Sequence, residues 1–131
     1  MLSIFFLSAI VVDLPHPVRG DFDHDGKIDV AQIVPGRAND YQLVIKSGDR
    51  AHSIYVIDKI KRDAVSNVFL AKMMRGRWTT WCGKGGGEEG EPCPRRSLTI
   101  RADALTYGTK EASQAVALWT GGHFEVVWLD D

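Results

Sequence analysis

The sequence predicts a mainly β fold, a compact antiparallel sheet or a sandwich or partial barrel of about seven or eight short strands. Three observations carry this expectation. Turn-forming residues return at intervals of about 8–12 positions, and apolar and polar side chains alternate between them. One pair of such runs is joined by Thr120-Gly121-Gly122-His123, a sequence suited to a tight hairpin turn. The 131 residues fit a single domain, and an apolar share of 44% with four tryptophans is enough to build a core.

Taken in order, Leu14-Pro15-His16-Pro17 is an extended lead-in, because each proline biases its predecessor towards β or polyproline geometry. A strand follows over residues 28–34, then a turn from Pro35 to Asp40. Tyr41, Leu43 and Ile45 alternate with Gln42, Val44 and Lys46, the period of a half-buried strand. Ser47-Gly48-Asp49-Arg50 turns the chain again, and Ile54 and Val56 open a third strand, completing an antiparallel meander. Residues 59–64 are polar, and residues 65–75 fit either a strand or one helix by periodicity. Trp78-Thr79-Thr80-Trp81 reads as β. Leu98, Ile100 and Ala102 alternate with Thr99 and Arg101, and Tyr107-Gly108-Thr109-Lys110 reads as a turn or bend. In the last hairpin, residues 115–119 and 124–129, the Phe124, Val126 and Trp128 side chains share one face. Trp78, Trp81, Trp119 and Trp128 are expected to fill the core rather than to line an exposed stripe.

The most informative stretch is Asp21-Phe22-Asp23-His24-Asp25-Gly26-Lys27-Ile28-Asp29. Its carboxylates stand at loop positions 1, 3, 5 and 9, with glycine at position 6, the spacing of an oxygen-lined calcium loop. Hard cations take oxygen ligands, and alternate residues of a tightly wound loop can point their carboxylates at one centre, with the Lys27 carbonyl supplying another oxygen. Gly26 admits the sharp turn because it tolerates positive φ. The alternative is an ordinary acidic turn, in which four carboxylates would repel one another without a cation. An EF-hand is excluded: position 12 is Gln32 where a bidentate Glu belongs, and the flanks lack helical patterning. His24, at an even loop position, is expected to face solvent.

The run Gly20-Asp21-Phe22-Asp23-His24-Asp25-Gly26-Lys27-Ile28-Asp29-Val30-Ala31 resembles the calcium loop of FG-GAP and VCBS-type repeats, the blades of integrin-like β-propellers. The resemblance implies Asp21, Asp23, Asp25 and Asp29 as side-chain ligands of Ca²⁺ and Lys27 as a carbonyl ligand. The motif occurs once here, whereas a propeller needs several blades, so the resemblance speaks for the ion and not for a propeller.

A formal net charge of −1 gives no reason to expect a nucleic-acid partner. The small basic clusters at Lys59, Lys61 and Arg62 and at Lys72, Arg75 and Arg77 read as solvated strand faces. Residues 1–12, MLSIFFLSAIVV, are too few to span a bilayer and have the length of a signal-peptide hydrophobic region, although no basic residue precedes them and no small-x-small site follows. A truncated leader, from a start taken too late, and a first core strand are the alternatives. Residues 13–131 form the single β domain. Cys82 and Cys93 flank the glycine-rich loop 83–92, a placement that favours a disulfide over two buried thiols and, with the leader, a secreted or periplasmic location.

Catalytic patterns are weak, and no catalytic residue is expected. There is no Gly-x-Ser-x-Gly elbow, and His16, His24, His52 and His123 are scattered. Gly85-Gly86-Gly87-Glu88-Glu89-Gly90 matches a dinucleotide fingerprint only formally, since its two glutamates would repel a pyrophosphate. Arg19-Gly20-Asp21 spells an adhesion tripeptide, but Asp21 is already the first expected ligand. The reading is therefore an extracytoplasmic calcium-binding domain with a structural ion, acting as a binding module for an envelope protein or glycan. The alternative is a secreted or periplasmic hydrolase or enzyme inhibitor with a scaffold calcium, which a pocket joining His52 or His123 to a buried carboxylate would favour.

Overall fold

The computed structural model describes residues 12–131. The expected leader therefore lies outside the described residues except for Val12, which packs against the core. Ten strands follow one another: β1 (Val18–Gly20), β2 (Asp29–Pro35), β3 (Tyr41–Lys46), β4 (Ile54–Ile60), β5 (Val68–Lys72), β6 (Gly76–Thr79), β7 (Ser97–Ile100), β8 (Leu105–Thr109), β9 (Gln114–Trp119) and β10 (Phe124–Asp130). They form three antiparallel sheets, ordered β1-β2-β3-β4, β10-β9-β8-β5 and β6-β7, and none closes into a barrel. The expected meander is the first sheet from β2 onward. The number of strands exceeds the expected seven or eight because three-residue β1 is too short to show an alternation and β8 covers the stretch around Gly108 that the sequence suggests as a turn or bend.

The first two sheets pack face to face. β1 meets β5 at one side of the sandwich, and β4 meets β10 at the other. Strand period explains which side chains enter: on β2 the residues at every second position, Asp29, Ala31 and Ile33, are buried, whereas Val30, Gln32 and Val34 are half-exposed. Ala31, Ile33, Leu43 and Ile45 from the first sheet meet Val68, Leu105, Tyr107, Ala115 and Ala117 from the second. The second sheet is covered on its other face as well. There Val116, Val127 and Leu129 join Met73, Leu98, Ile100 and Ala104, under the β6–β7 hairpin. β9 shows both faces at once, with Ala115 and Ala117 in the first cluster and Val116 in the second. The domain is thus a sandwich with a small third layer.

One open expectation is resolved and two change. Residues 65–75 contain a strand and not one long helix, a single 3₁₀ turn at Val65–Asn67 leading into β5. Tyr107-Gly108-Thr109 lies inside β8 rather than in a turn. Gly108 is there because the Ser113 backbone crosses it: a Cβ would overlap the Ser113 carbonyl oxygen. The chain reverses afterwards, where the Ala112 and Ser113 amides donate to the Thr109 carbonyl. Finally, none of the four tryptophans is fully buried. The buried aromatic rings of the main core are those of Phe22 and Tyr107, packed among alanines and branched side chains. Trp119 instead meets Phe124 and Tyr55 edge-to-face at ring separations of 4.9 and 5.6 Å, where β4 and β10 adjoin. Trp128, 39% exposed, stands beside Tyr107. The final hairpin forms as expected: the Thr120 amide donates to the His123 carbonyl, and Gly121 alone of the glycine pair has positive φ, as a type II′ turn requires.

Candidate metal centre

The loop from Gly20 to Asp29 joins β1 to β2. It is anchored from within by Phe22, which is 1% exposed and belongs to the main core cluster. Gly20 makes room for that ring, since a Cβ there would stand 2.9 Å from two of its atoms. The aspartate carboxylates then wind the loop by accepting backbone amides, a role the short Asp side chain performs well. Asp21 accepts the Asp25 amide at 3.1 Å and the Gly26 amide at 2.9 Å, and Asp25 accepts the Lys27 amide at 2.9 Å. Gly26 and His24 adopt positive φ, +83° and +55°, as the tight winding demands.

Asp29 is the hub. It starts β2 on the inward-facing side and is completely buried. Its Oδ2 accepts the Phe22 and Asp23 amides at 2.8 and 3.1 Å, and its Oδ1 accepts the Gly48 amide at 2.9 Å. Asp23, 8% exposed, accepts the Ser47 hydroxyl on Oδ2 at 2.7 Å, while its Oδ1 is buried without any donor. Carboxylate oxygens of Asp21, Asp23 and Asp29 all lie within 4.8 Å of one another. A carboxylate offers roughly four lone-pair sites. Asp29 uses three on amides, Asp21 two and Asp23 one, so each retains acceptor capacity. None of the ion pairs among the described residues involves these three. Buried carboxylates without countercharge or full hydrogen bonding cost several kcal/mol each, and a small hard cation is the group that would relieve all three together.

Of the residues singled out in the sequence, the fold therefore brings together Asp21, Asp23 and Asp29. Asp25 and Lys27 are exposed on the outer part of the loop, and the Asp25 carboxylate is not part of the converging group. His24 is exposed as expected, yet its Nε2 lies 3.0 Å from the Asp103 carbonyl oxygen. Three residues of the site carried no sequence signal beyond turn chemistry. Ser47 and Gly48 belong to the β3–β4 turn, where Gly48 packs so closely on the loop that a Cβ would overlap the Ile28 carbonyl oxygen. Asp103, between β7 and β8, accepts the Asp21 amide at 3.0 Å.

Elsewhere, the Asp49 carboxylate is held below its usual value, chiefly by the Ser53 amide and further by the Ser53 hydroxyl. Burial pushes the Tyr107 hydroxyl up, and its hydrogen bond to Asp58 at 2.9 Å and the negative charge there push the same way. His52 and His123 are exposed; the His123 ring lies beside the Thr120 hydroxyl, and no hydrogen bond joins either ring to a carboxylate. Cys82 and Cys93 are disulfide-bonded with Cα atoms 5.6 Å apart, closing the glycine-rich loop. Gly86 of that loop lies against the Trp81 indole, which any Cβ would strike. Among the described residues no helix is long and apolar enough to cross a membrane. No protein-family model matches the chain, and neither the curated proteins nor the solved structures contain a match.

Proposed function

We propose that this chain is an extracytoplasmic calcium-binding β domain of the FG-GAP/VCBS loop type, in which Ca²⁺ is structural and the rest of the surface serves binding. The observation that carries the reading is the buried Asp23 Oδ1, which has no donor and belongs to a carboxylate converging with Asp21 and Asp29. An acidic turn built only for its hydrogen bonds would leave no such oxygen. Calcium suits the site because its 6–8 oxygen ligands can be assembled from carboxylates, carbonyls and water in flexible geometry, whereas Mg²⁺ holds to a strict octahedron and gives up water reluctantly. Asp21, Asp23 and Asp29 form the inner wall, and Asp25 and the Lys27 carbonyl are the further oxygens that the loop offers. The disulfide around a glycine-rich loop supports a secreted or periplasmic setting. An envelope protein or glycan is the partner class, and the partly exposed indoles at the rim are the surface it would meet.

The test is thermal unfolding of chelator-treated protein during titration with Ca²⁺, with Mg²⁺ as control. Binding to the folded state alone stabilises it by about 2.7 kcal/mol at a hundredfold excess over Kd. The expected result is a calcium-specific rise in Tm. An unchanged Tm at millimolar Ca²⁺ overturns the reading.

A further inference from the structure

We infer that Asp103 positions the ion site from the opposite sheet, so that an ion bound among Asp21, Asp23 and Asp29 fastens the two sheets of the sandwich together. The inference rests on the calcium reading above and concerns a residue outside the loop motif. Asp103 stands in the β7–β8 connection, 82 positions from Asp21. Its Oδ2 accepts the amide of Asp21, the first carboxylate of the loop, at 3.0 Å, and its own carbonyl oxygen is 3.0 Å from His24 Nε2. A single residue thus holds the loop on both sides of Phe22 and Asp23. Its other oxygen, Oδ1, lies 3.8 Å from Lys72 Nζ at the end of β5, which ties the contact back to the second sheet. Gly20 keeps the approach open, since a Cβ there would come within 3.2 Å of the Asp103 carboxylate.

Charge gives this contact its dependence on the ion. Asp103 adds a fourth carboxylate beside three that already converge, and among the described residues its one ion pair is with the exposed Lys72. Without a cation the like charges oppose the contact; with the loop neutralised, the hydrogen bond to Asp21 closes against less repulsion. Whatever the ion does for the contact, the contact does for the ion, because coupling between two equilibria is reciprocal. Groups that orient metal ligands from outside typically change affinity by about ten- to hundredfold when removed.

Hydrogen exchange on the full chain, with Ca²⁺ and with chelator, tests this beside a calcium titration of the wild type, Asp103→Ala and Asp103→Asn. In the wild type, calcium is expected to slow exchange at residues 101–105 as well as in the loop. Asp103→Ala is expected to bind Ca²⁺ about ten- to hundredfold more weakly and to lose the response at 101–105 while the loop still responds. Asp103→Asn, which keeps an oxygen for the Asp21 amide, recovers most of the affinity. Wild-type binding with no protection at 101–105, or an Asp103→Ala affinity equal to wild type, overturns the clasp and leaves the calcium reading standing. Failure of the wild type to bind at all overturns both. The wild-type comparison needs no variant, so a poorly folding substitution does not blunt the test.

Discussion

Three backbone amides converge on the Asp29 carboxylate, whereas Asp23 keeps one oxygen free of any donor. The two aspartates should therefore respond differently to the same change. Asp29→Asn places an amide nitrogen among donors and leaves at least one of them unpaired in a buried site. That cost, roughly 1–3 kcal/mol, should already appear in chelator, with the loss of a ligand adding to it in calcium. Asp23→Asn should lower Tm only in calcium, and in chelator it should leave Tm unchanged or higher because it removes one of three crowded charges. Thermal melts in both buffers check the pair, and a calcium-independent loss at Asp23 would count against a cation there. Tyr107 supplies a pH test. Its folded pKa is raised, so above the unfolded value near 10 the unfolded chain releases a proton that the folded chain keeps. Stability is full below about pH 10 and falls as pH rises beyond it, and Tyr107→Phe should flatten that alkaline limb in denaturant melts. At this scale Asp25, expected beside Asp21, Asp23 and Asp29, stands apart on the exposed side of the loop, whereas the convergence of the other three was legible because their spacing is local. Ser47 and Asp103 were not, since they reach the loop across 24 and 82 positions and a single sequence carries no mark of such contacts.

Hairpins carry most of what could be read at the level of elements. β2–β3, β3–β4 and β9–β10 are joined by short turns with their own residue chemistry, so both period and punctuation were visible. β8 was mistaken in part because Gly108 signals a turn in isolation, while its actual reason, the crossing of the Ser113 backbone, is a tertiary fact. Gly48 has the same character and a sharper consequence. Gly48→Ala would drive a Cβ into the Ile28 carbonyl, separating the β3–β4 turn from the loop; both Tm and calcium affinity should fall, as melts with and without Ca²⁺ would reveal. The loop between β6 and β7 depends on Cys82–Cys93 instead. Replacing both cysteines by serine should destabilise the chain by roughly 2–4 kcal/mol, measurable by urea unfolding, with little effect on calcium affinity because the loop aspartates make no contact there.

Packing of the whole molecule departs from a two-layer sandwich through the β6–β7 hairpin, which covers the far side of the second sheet. Leu98, 4% exposed, is central to that cover. Leu98→Ala should cost about 2–5 kcal/mol, and unfolding should remain a single transition if the hairpin belongs to the same cooperative unit; a separate early transition would mark it as an appendage. A β domain was legible from composition and period, but the third layer was not. The unbroken apolar run Ala115–Trp119 is the pattern of a strand covered on both faces, but a run of this kind does not say which distant segment supplies the second cover. The tryptophans misled because size and apolarity suggested the centre, whereas Phe22 and Tyr107 supply the buried rings of the main core and Trp119 and Trp128 stand partly exposed at its edge.

The distance along the chain from Asp21 to Asp103 also sets an order of events. In a chain made from its N-terminus, the first sheet and all three converging aspartates exist before β7 has been synthesised. Contacts of long sequence separation close late, because the entropy of the intervening loop must be overcome first. On the calcium reading proposed above, the N-terminal meander carries the three converging carboxylates and the clasp closes only with the arrival of the β7–β8 connection, so the finished domain should release the ion more slowly than its Asp103→Ala variant.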